Sequence, residues 1–207
     1  MDGDLRAMTG STDIGRELVI ETMERFGLAE GRQCFAGVLD HGESLMREAM
    51  ARLPDGVYEG ESGFDDDCFE DVTLPIQVKI TIAGEEATVD FTGTADQIRG
   101  FKNSSVANTY SSVYSALSTF FDPSIPRNEG TFRSVMVIAP EGTLVNARPP
   151  APMTMCTVFP AQQIIHSIWQ ALGKADPSRA CAGWGMNAFP LSSAAGYDGH
   201  VSTMYHW

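Results

Sequence analysis

The strongest constraint on this chain is the order of its turn residues between positions 89 and 146. The run reads VDFTG at 89–93, QIRGFKN at 97–103, SVYSAL at 112–117, DPSIPRNEG at 122–130 and PEGTLVN at 140–146. Glycine admits positive φ, proline fixes φ and removes a donor, and asparagine closes turns with its own side chain. Residues of these kinds stand at each junction, so two strand-like segments are cut cleanly from the helix-like one between them. No internal repeat or low-complexity linker interrupts the pattern.

Upstream, 11–28 opens on Ser11-Thr12-Asp13, good N-cap types, then sets Ile14, Leu18, Val19, Ile20, Met23 and Phe26 at helical spacing, with Gly27 as a stop. Positions 32–53 repeat the pattern up to Pro54, and His41-Gly42 predicts a kink or short break. The two helices are expected to pair antiparallel through the 27–31 connection. A strand begins at Val57-Tyr58, and the acidic stretch 59–71 reads as a solvated loop. Its Asp65-Asp66-Asp67 lacks the glycine and terminal glutamate of an EF-hand. Positions 74–82 alternate apolar and polar and 87–91 return, a hairpin whose Leu74, Ile76, Val78 and Ile80 face should pack on the helix 106–121. Asp122-Pro123 ends that helix.

A strand over 132–139, a turn at 140–142 and a short strand at 144–145 follow. Three prolines make 148–152 extended, 161–173 forms an amphipathic helix, and the Gly-rich 183–199 mixes strands and loops. Positions 199–207 read as an apolar strand stopping in mid-pattern, which predicts that more chain follows or that another subunit pairs with it. Strands come in runs and helices in runs. The expected class is therefore α+β, antiparallel hairpins packed with amphipathic helices, rather than a doubly wound parallel sheet.

At 207 residues the chain can bury a real core, as one large domain or two small ones. Its net charge of −13 repels phosphate backbones and anionic lipid heads, so neither nucleic acid nor a membrane surface is an expected partner. No apolar run approaches the ~20 residues of a spanning helix. The acidic start, Met1-Asp2-Gly3-Asp4, has no signal-peptide core. Cys34, Cys68, Cys156 and Cys181 lie far apart with no C-x-x-C pair, the pattern of reduced, mostly buried thiols in a cytoplasmic protein. Cys156 lies near a proline-rich turn, but no base neighbours it in sequence to make it a nucleophile.

Together with GDLRA at 3–7 and LPDGVY at 53–58, the punctuated run resembles the hydantoinase B/oxoprolinase family over nearly the whole chain. The resemblance implies the B-type subunit of an ATP-dependent hydrolase of cyclic amides: hydantoins, 5-oxoproline or a related lactam. An A-type partner, which binds ATP and Mg, would phosphorylate the carbonyl oxygen, and the B-type subunit would hold the activated intermediate and complete hydrolysis. An acetone- or acetophenone-type carboxylase subunit is the alternative within the enzyme class. A non-catalytic scaffold for the ATP-using subunit is the alternative from another class. Family members are considerably longer, so 1–207 reads as one partial domain, an internal fragment inactive by itself.

The resemblance also implies a divalent metal in the full subunit, held by one Asp and two His in N-terminal segments that this sequence lacks. His41, His166, His200 and His206 are isolated, and no metal ligand or cofactor is assigned to this segment. Gly100-Phe101-Lys102-Asn103 lacks Walker A spacing.

Candidate substrate-binding residues come from the turns: Arg99, Asn103, Asn128, Arg133 and Asn146, with Asp90 and Thr92-Gly93 at a strand exit. Asparagine offers donor and acceptor to a cyclic amide edge, and arginine suits a carboxylate or transferred phosphate. Each has a plainer reading, Asn128 and Asn146 as turn formers and Arg133 as a brace on the acidic surface. Asn103 stands out because it follows a glycine turn and precedes a helix N-terminus, which favours an anion. A shared site requires Arg99, Asn103 and Asn128 to converge in space.

Overall fold

The computed structural model describes residues 2–183, 191–195 and 201–205. Two long helices come first, α1 (Asp2–Phe26) and α2 (Leu28–Met50). Strands β1 (Gly56–Asp66), β2 (Asp71–Ala83) and β3 (Glu86–Asp90) follow, then α3 (Val106–Phe120). A 3-10 turn (Gly130–Phe132), strand β4 (Val135–Ile138), α4 (Phe159–Ala175) and a second 3-10 turn (Pro177–Arg179) complete the body. Strands β5 (Leu191–Ala195) and β6 (Val201–Tyr205) pair antiparallel as a separate ribbon. His200, His206 and Trp207 lie outside the described residues.

The main sheet has the order β1-β2-β3-β4. The β2 register is the predicted one: Leu74, Ile76, Val78 and Ile80 are buried, while Gln77 and Lys79 are exposed. They enter one core with Val113, Ala116 and Leu117 of α3 and Ile164, Ile168 and Leu172 of α4. The helix pressed directly on β1 and β2 is α4, with α3 beside it. Gly60 makes that contact possible: a Cβ there would stand 1.9 Å from the Ser167 carbonyl oxygen, so only a bare backbone lets strand and helix meet.

Several sequence expectations change. The acidic stretch 59–71 is mostly strand, β1 pairing with β2 from Gly56↔Ile82 to Phe64↔Leu74. Its acids Glu59, Glu61 and Asp65 point outward while Gly60 and Phe64 turn in, so alternation prevails over composition. α1 begins at Asp2, and the hydroxyls of Ser11 and Thr12 bond back to the Met8 and Thr9 carbonyls instead of capping. α2 runs unbroken through His41-Gly42. Gly42 serves close approach, since a Cβ would lie 2.6 Å from Thr131 Oγ1 and 2.8 Å from Asn128 Oδ1. The two helices meet where Met23 of α1 lies over the buried Gly31 of α2, whose missing Cβ would stand 2.3 Å from the Met23 sulfur, although no residue of α1 is itself buried.

Downstream, 132–139 divides into the 3-10 turn and β4, which runs parallel to β3. The β3-α3-β4 passage is thus a crossover unit, the connection a parallel pair requires. Leu144-Val145 is no strand: isolated bridges link Thr143 to Asp96 and Asn146. Around 148–152 the Ala151 N–H donates to the Arg148 carbonyl and closes a turn instead of an extended run. None of the four cysteines is buried; Cys34 and Cys181 are exposed, because their helix face and loop have no cover among the described residues.

Candidate functional site

Helix α3 has two faces of different character. Ser105 caps it, its hydroxyl accepting from the Asn108 N–H, and Val113, Ala116, Leu117 and Phe120 face the core. The opposite face carries Tyr110, Ser111, Tyr114, Ser115 and Ser118, and forms one wall of a groove of about 590 Å³. The other wall is Arg127, Asn128, Glu129 and Phe132, from the loop after α3.

Aromatic contacts set the groove's floor. Tyr114 stacks on Phe132 with centroids 4.0 Å apart and planes at 10°, and Tyr110 meets Tyr114 edge-on at 5.9 Å. The loop is tied to α2: Asn128 Nδ2 donates to the Val38 carbonyl (3.2 Å), and its Oδ1 accepts from the Thr131 N–H (3.1 Å). Burial, then the neighbouring Tyr110 and Glu129, pushes the Tyr114 pKa up, so its hydroxyl stays a neutral donor. Among the described residues, the side-chain hydroxyls of Tyr114, Ser111, Ser115 and Ser118 have no hydrogen-bond partner. The groove therefore offers hydroxyl donors on one wall, and a guanidinium and a carboxylate on the other. That set can bind a small polar ring: hydroxyls to a carbonyl oxygen, Glu129 to an N–H, Arg127 to an anionic group.

A second concavity, of about 520 Å³, lies among Glu59, Glu61, Gln77, Lys79, Gln170 and Lys174. Its polar groups are largely engaged already, Gln77 with Glu61, Lys79 with Asp90, and Lys174 with the Glu59 carbonyl. The groove on α3 is the better binding candidate.

The five residues chosen from sequence fall into two neighbourhoods. Arg99 stacks on Phe69 (4.3 Å) and pairs with Asp67 and Glu70 on the exposed β1–β2 turn. Asn103 is fully buried: its Nδ2 donates to the carbonyls of Ile98, Gly100 and Pro152, and its Oδ1 accepts from the Ile98 N–H. Asn146 closes the neighbouring turn through the Ala139 carbonyl (2.9 Å). Asn128 and Arg133 belong elsewhere, beside α2, where Arg133 bridges Asp40 (3.0 Å) and Glu43 (3.1 Å). Only Asn128 of the five lines the groove. Asp90 accepts from the Thr92 N–H at the exit of β3.

Sequence reading passed over Tyr110, Ser111, Tyr114, Ser115, Ser118, Arg127 and Glu129. The two tyrosines share helical spacing with Val113 and Leu117, which places them in sequence on the apolar side of that helix. The available signal was the series 111, 114, 115 and 118, a second, hydroxyl-bearing face at the same period.

The described residues do not fit a divalent metal, since no three His, Cys, Asp or Glu side chains among them come together. His166 packs against Trp169 on α4, and burial lowers its pKa. Among the described residues no helix is long and apolar enough to cross a membrane.

This fold, a mixed sheet covered by α3 and α4 with paired long helices at its N-terminal end, belongs to a known class. The chain is a member of the hydantoinase B/oxoprolinase family, whose profile matches residues 1–206. It is 35% identical over 185 residues to the beta subunit of caprolactamase from Pseudomonas jessenii, an alignment covering 89% of this chain and 32% of that protein. It is 31% identical over 197 residues to the B-type subunit of the putative D-/L-hydantoinase of Pseudomonas sp. (strain NS671), covering 88% of this chain and 33% of that one. The crystal structure of the ATP-dependent caprolactamase from Pseudomonas jessenii superimposes with a TM-score of 0.85 at 31% identity, over 99% of this chain and 35% of that one. Nucleotide-free acetone carboxylase shares the fold, with a TM-score of 0.72 at 16% identity over 92% of this chain and 28% of that one. The chain thus spans about a third of the length of these relatives.

Proposed function

We propose that this chain is part of the B-type subunit of an ATP-dependent cyclic-amide hydrolase, and that the groove along α3 receives the ring or its activated form. The observation that carries the reading is the double match to caprolactamase, 35% identity in sequence and a TM-score of 0.85 in structure. The carboxylase reading has weaker support, a fold likeness at 16% identity. An ATP-binding A-type subunit is the proposed partner, and the cytoplasm the proposed location. The divalent metal expected of the full subunit is assigned to polypeptide beyond these residues.

In this reading Tyr114, kept protonated, and the serines of α3 orient the carbonyl or the oxygen bonded to phosphorus. Glu129 accepts the ring N–H, and Arg127 pairs with charge transferred from ATP. Asn128 holds the loop and presents its edge to the groove. Arg99, Asn103, Arg133 and Asn146 are proposed as braces that keep the surrounding turns in place.

The test uses the complete two-subunit enzyme carrying this segment, assayed with ATP on caprolactam, hydantoin and 5-oxoproline. Tyr114→Phe and Arg127→Ala should each lower kcat/KM by about 10- to 100-fold, with assembly and melting temperature unchanged. Unchanged turnover in both would remove the groove from the reaction. Loss of assembly with turnover per complex intact would instead favour the scaffold alternative.

A further inference from the structure

Helix α1 is 25 residues long, about 37 Å at 1.5 Å per residue, and none of its residues is buried. Leu5, Met8, Ile14, Leu18, Val19, Ile20 and Phe26 are all exposed, as are Phe35 and Val38 on α2. A sequence with glycines at 3, 10 and 15 has no propensity to hold such a helix alone; helices of this kind are stabilised by tertiary packing. The superposition with caprolactamase covers 99% of this chain, so a helix of 25 residues is included in it.

The distribution around the axis says what covers it. At 100° per residue the apolar side chains, from Ile14 and Leu18 through Met8, Val19, Met23 and Phe26 to Ile20, span an arc of about 240°. Five charged residues, Arg6, Asp13, Glu17, Glu21 and Glu24, lie on the remaining strip, while Asp4, Arg16 and Arg25 stand within the arc and Asp2 at its edge. Pairing with one helix of a second copy uses a narrow seam, whereas an arc this broad belongs to a helix wrapped on several sides inside a large subunit.

We infer that α1, with Phe35 and Val38 of α2, is an interior element of the family's longer subunit. Its apolar arc is packed by polypeptide of the same subunit outside the third that this chain matches. This rests on family membership and not on the activity proposed above.

Two measurements test it. In the 207-residue chain, hydrogen exchange across 2–26 should run at the rate of an unstructured peptide while β2 is protected about 100-fold or more. Protection of α1 in this chain alone, at all concentrations or rising with concentration, would overturn the inference. In complete caprolactamase, a photo-crosslinking residue replacing the one that superimposes on Leu18 should join the beta subunit to itself beyond the matched third, with no gain in subunit mass on a denaturing gel. Capture of the other subunit, a crosslinked beta dimer, or no crosslink at all would each count against it.

Discussion

Asn103 shows how one side chain can hold a loop by itself. It is fully buried and makes four hydrogen bonds, three of them to carbonyls on either side of the 98–103 turn and on the 149–152 segment. Asn103→Ala would strand those groups without water, so the expected loss is about 2–4 kcal/mol in urea unfolding, with no change in activity per folded molecule. A stable variant with lowered turnover would return Asn103 to the site.

Charge at single residues sets the pH response. The Lys102 ammonium, 2.6 Å from Asp66 Oδ1, and then the Cys68 N–H hold the Asp66 carboxyl below the usual range. A folded pKa below the unfolded value contributes stability above about pH 4 and loses it as pH falls through the folded value. Burial lowers the His166 pKa, so its contribution is complete above about pH 6.5 and fades below. The urea midpoint should therefore fall in two stages on acidification. His166→Gln should remove the first stage and Lys102→Met should shrink the second.

Between elements, two glycines decide what touches what. β1 and α4 meet at Gly60 with no room for a methyl group, so Gly60→Ala should separate them and cost about 2–3 kcal/mol, read as a lower melting temperature. The α2 contact with the loop after α3 depends on Gly42 in the same way, and an ion network secures it: Arg133 with Asp40 and Glu43, and Arg47 with Glu43 and Glu86. Arg133→Met should loosen that loop and raise hydrogen exchange across 127–132 while leaving β2 protected. Because the same loop carries Arg127 and Glu129, the change should raise KM in the complete enzyme more than it lowers kcat.

At the scale of the whole molecule, the segment holds both walls of a groove, a long helix with no buried residue, and about a third of the length of its relatives. The isolated chain should hydrolyse no hydantoin, 5-oxoproline or caprolactam with or without ATP, and turnover by the purified fragment would refute that. With a net charge of −13 it should also give no anisotropy change with labelled DNA at low salt.

Local chemistry was legible where it acts over a few residues. The β2 alternation, the helix α3 and the stop at Asp122-Pro123 follow from period 2, period 3.6 and proline geometry, and none requires a distant partner. The order of the turn segments likewise pointed to the family without any tertiary contact. What depended on tertiary structure was every choice set by a neighbour far along the chain. The acids of β1 became a strand because β2 lies beside them, Gly42 stayed helical because Thr131 presses on it, and β4 turned parallel because α3 carries the chain across. Asn103 lies buried among carbonyls and Tyr114 lines the groove for the same reason. A polar residue is a brace or a ligand according to what surrounds it in space, and spacing along the chain carries no record of that.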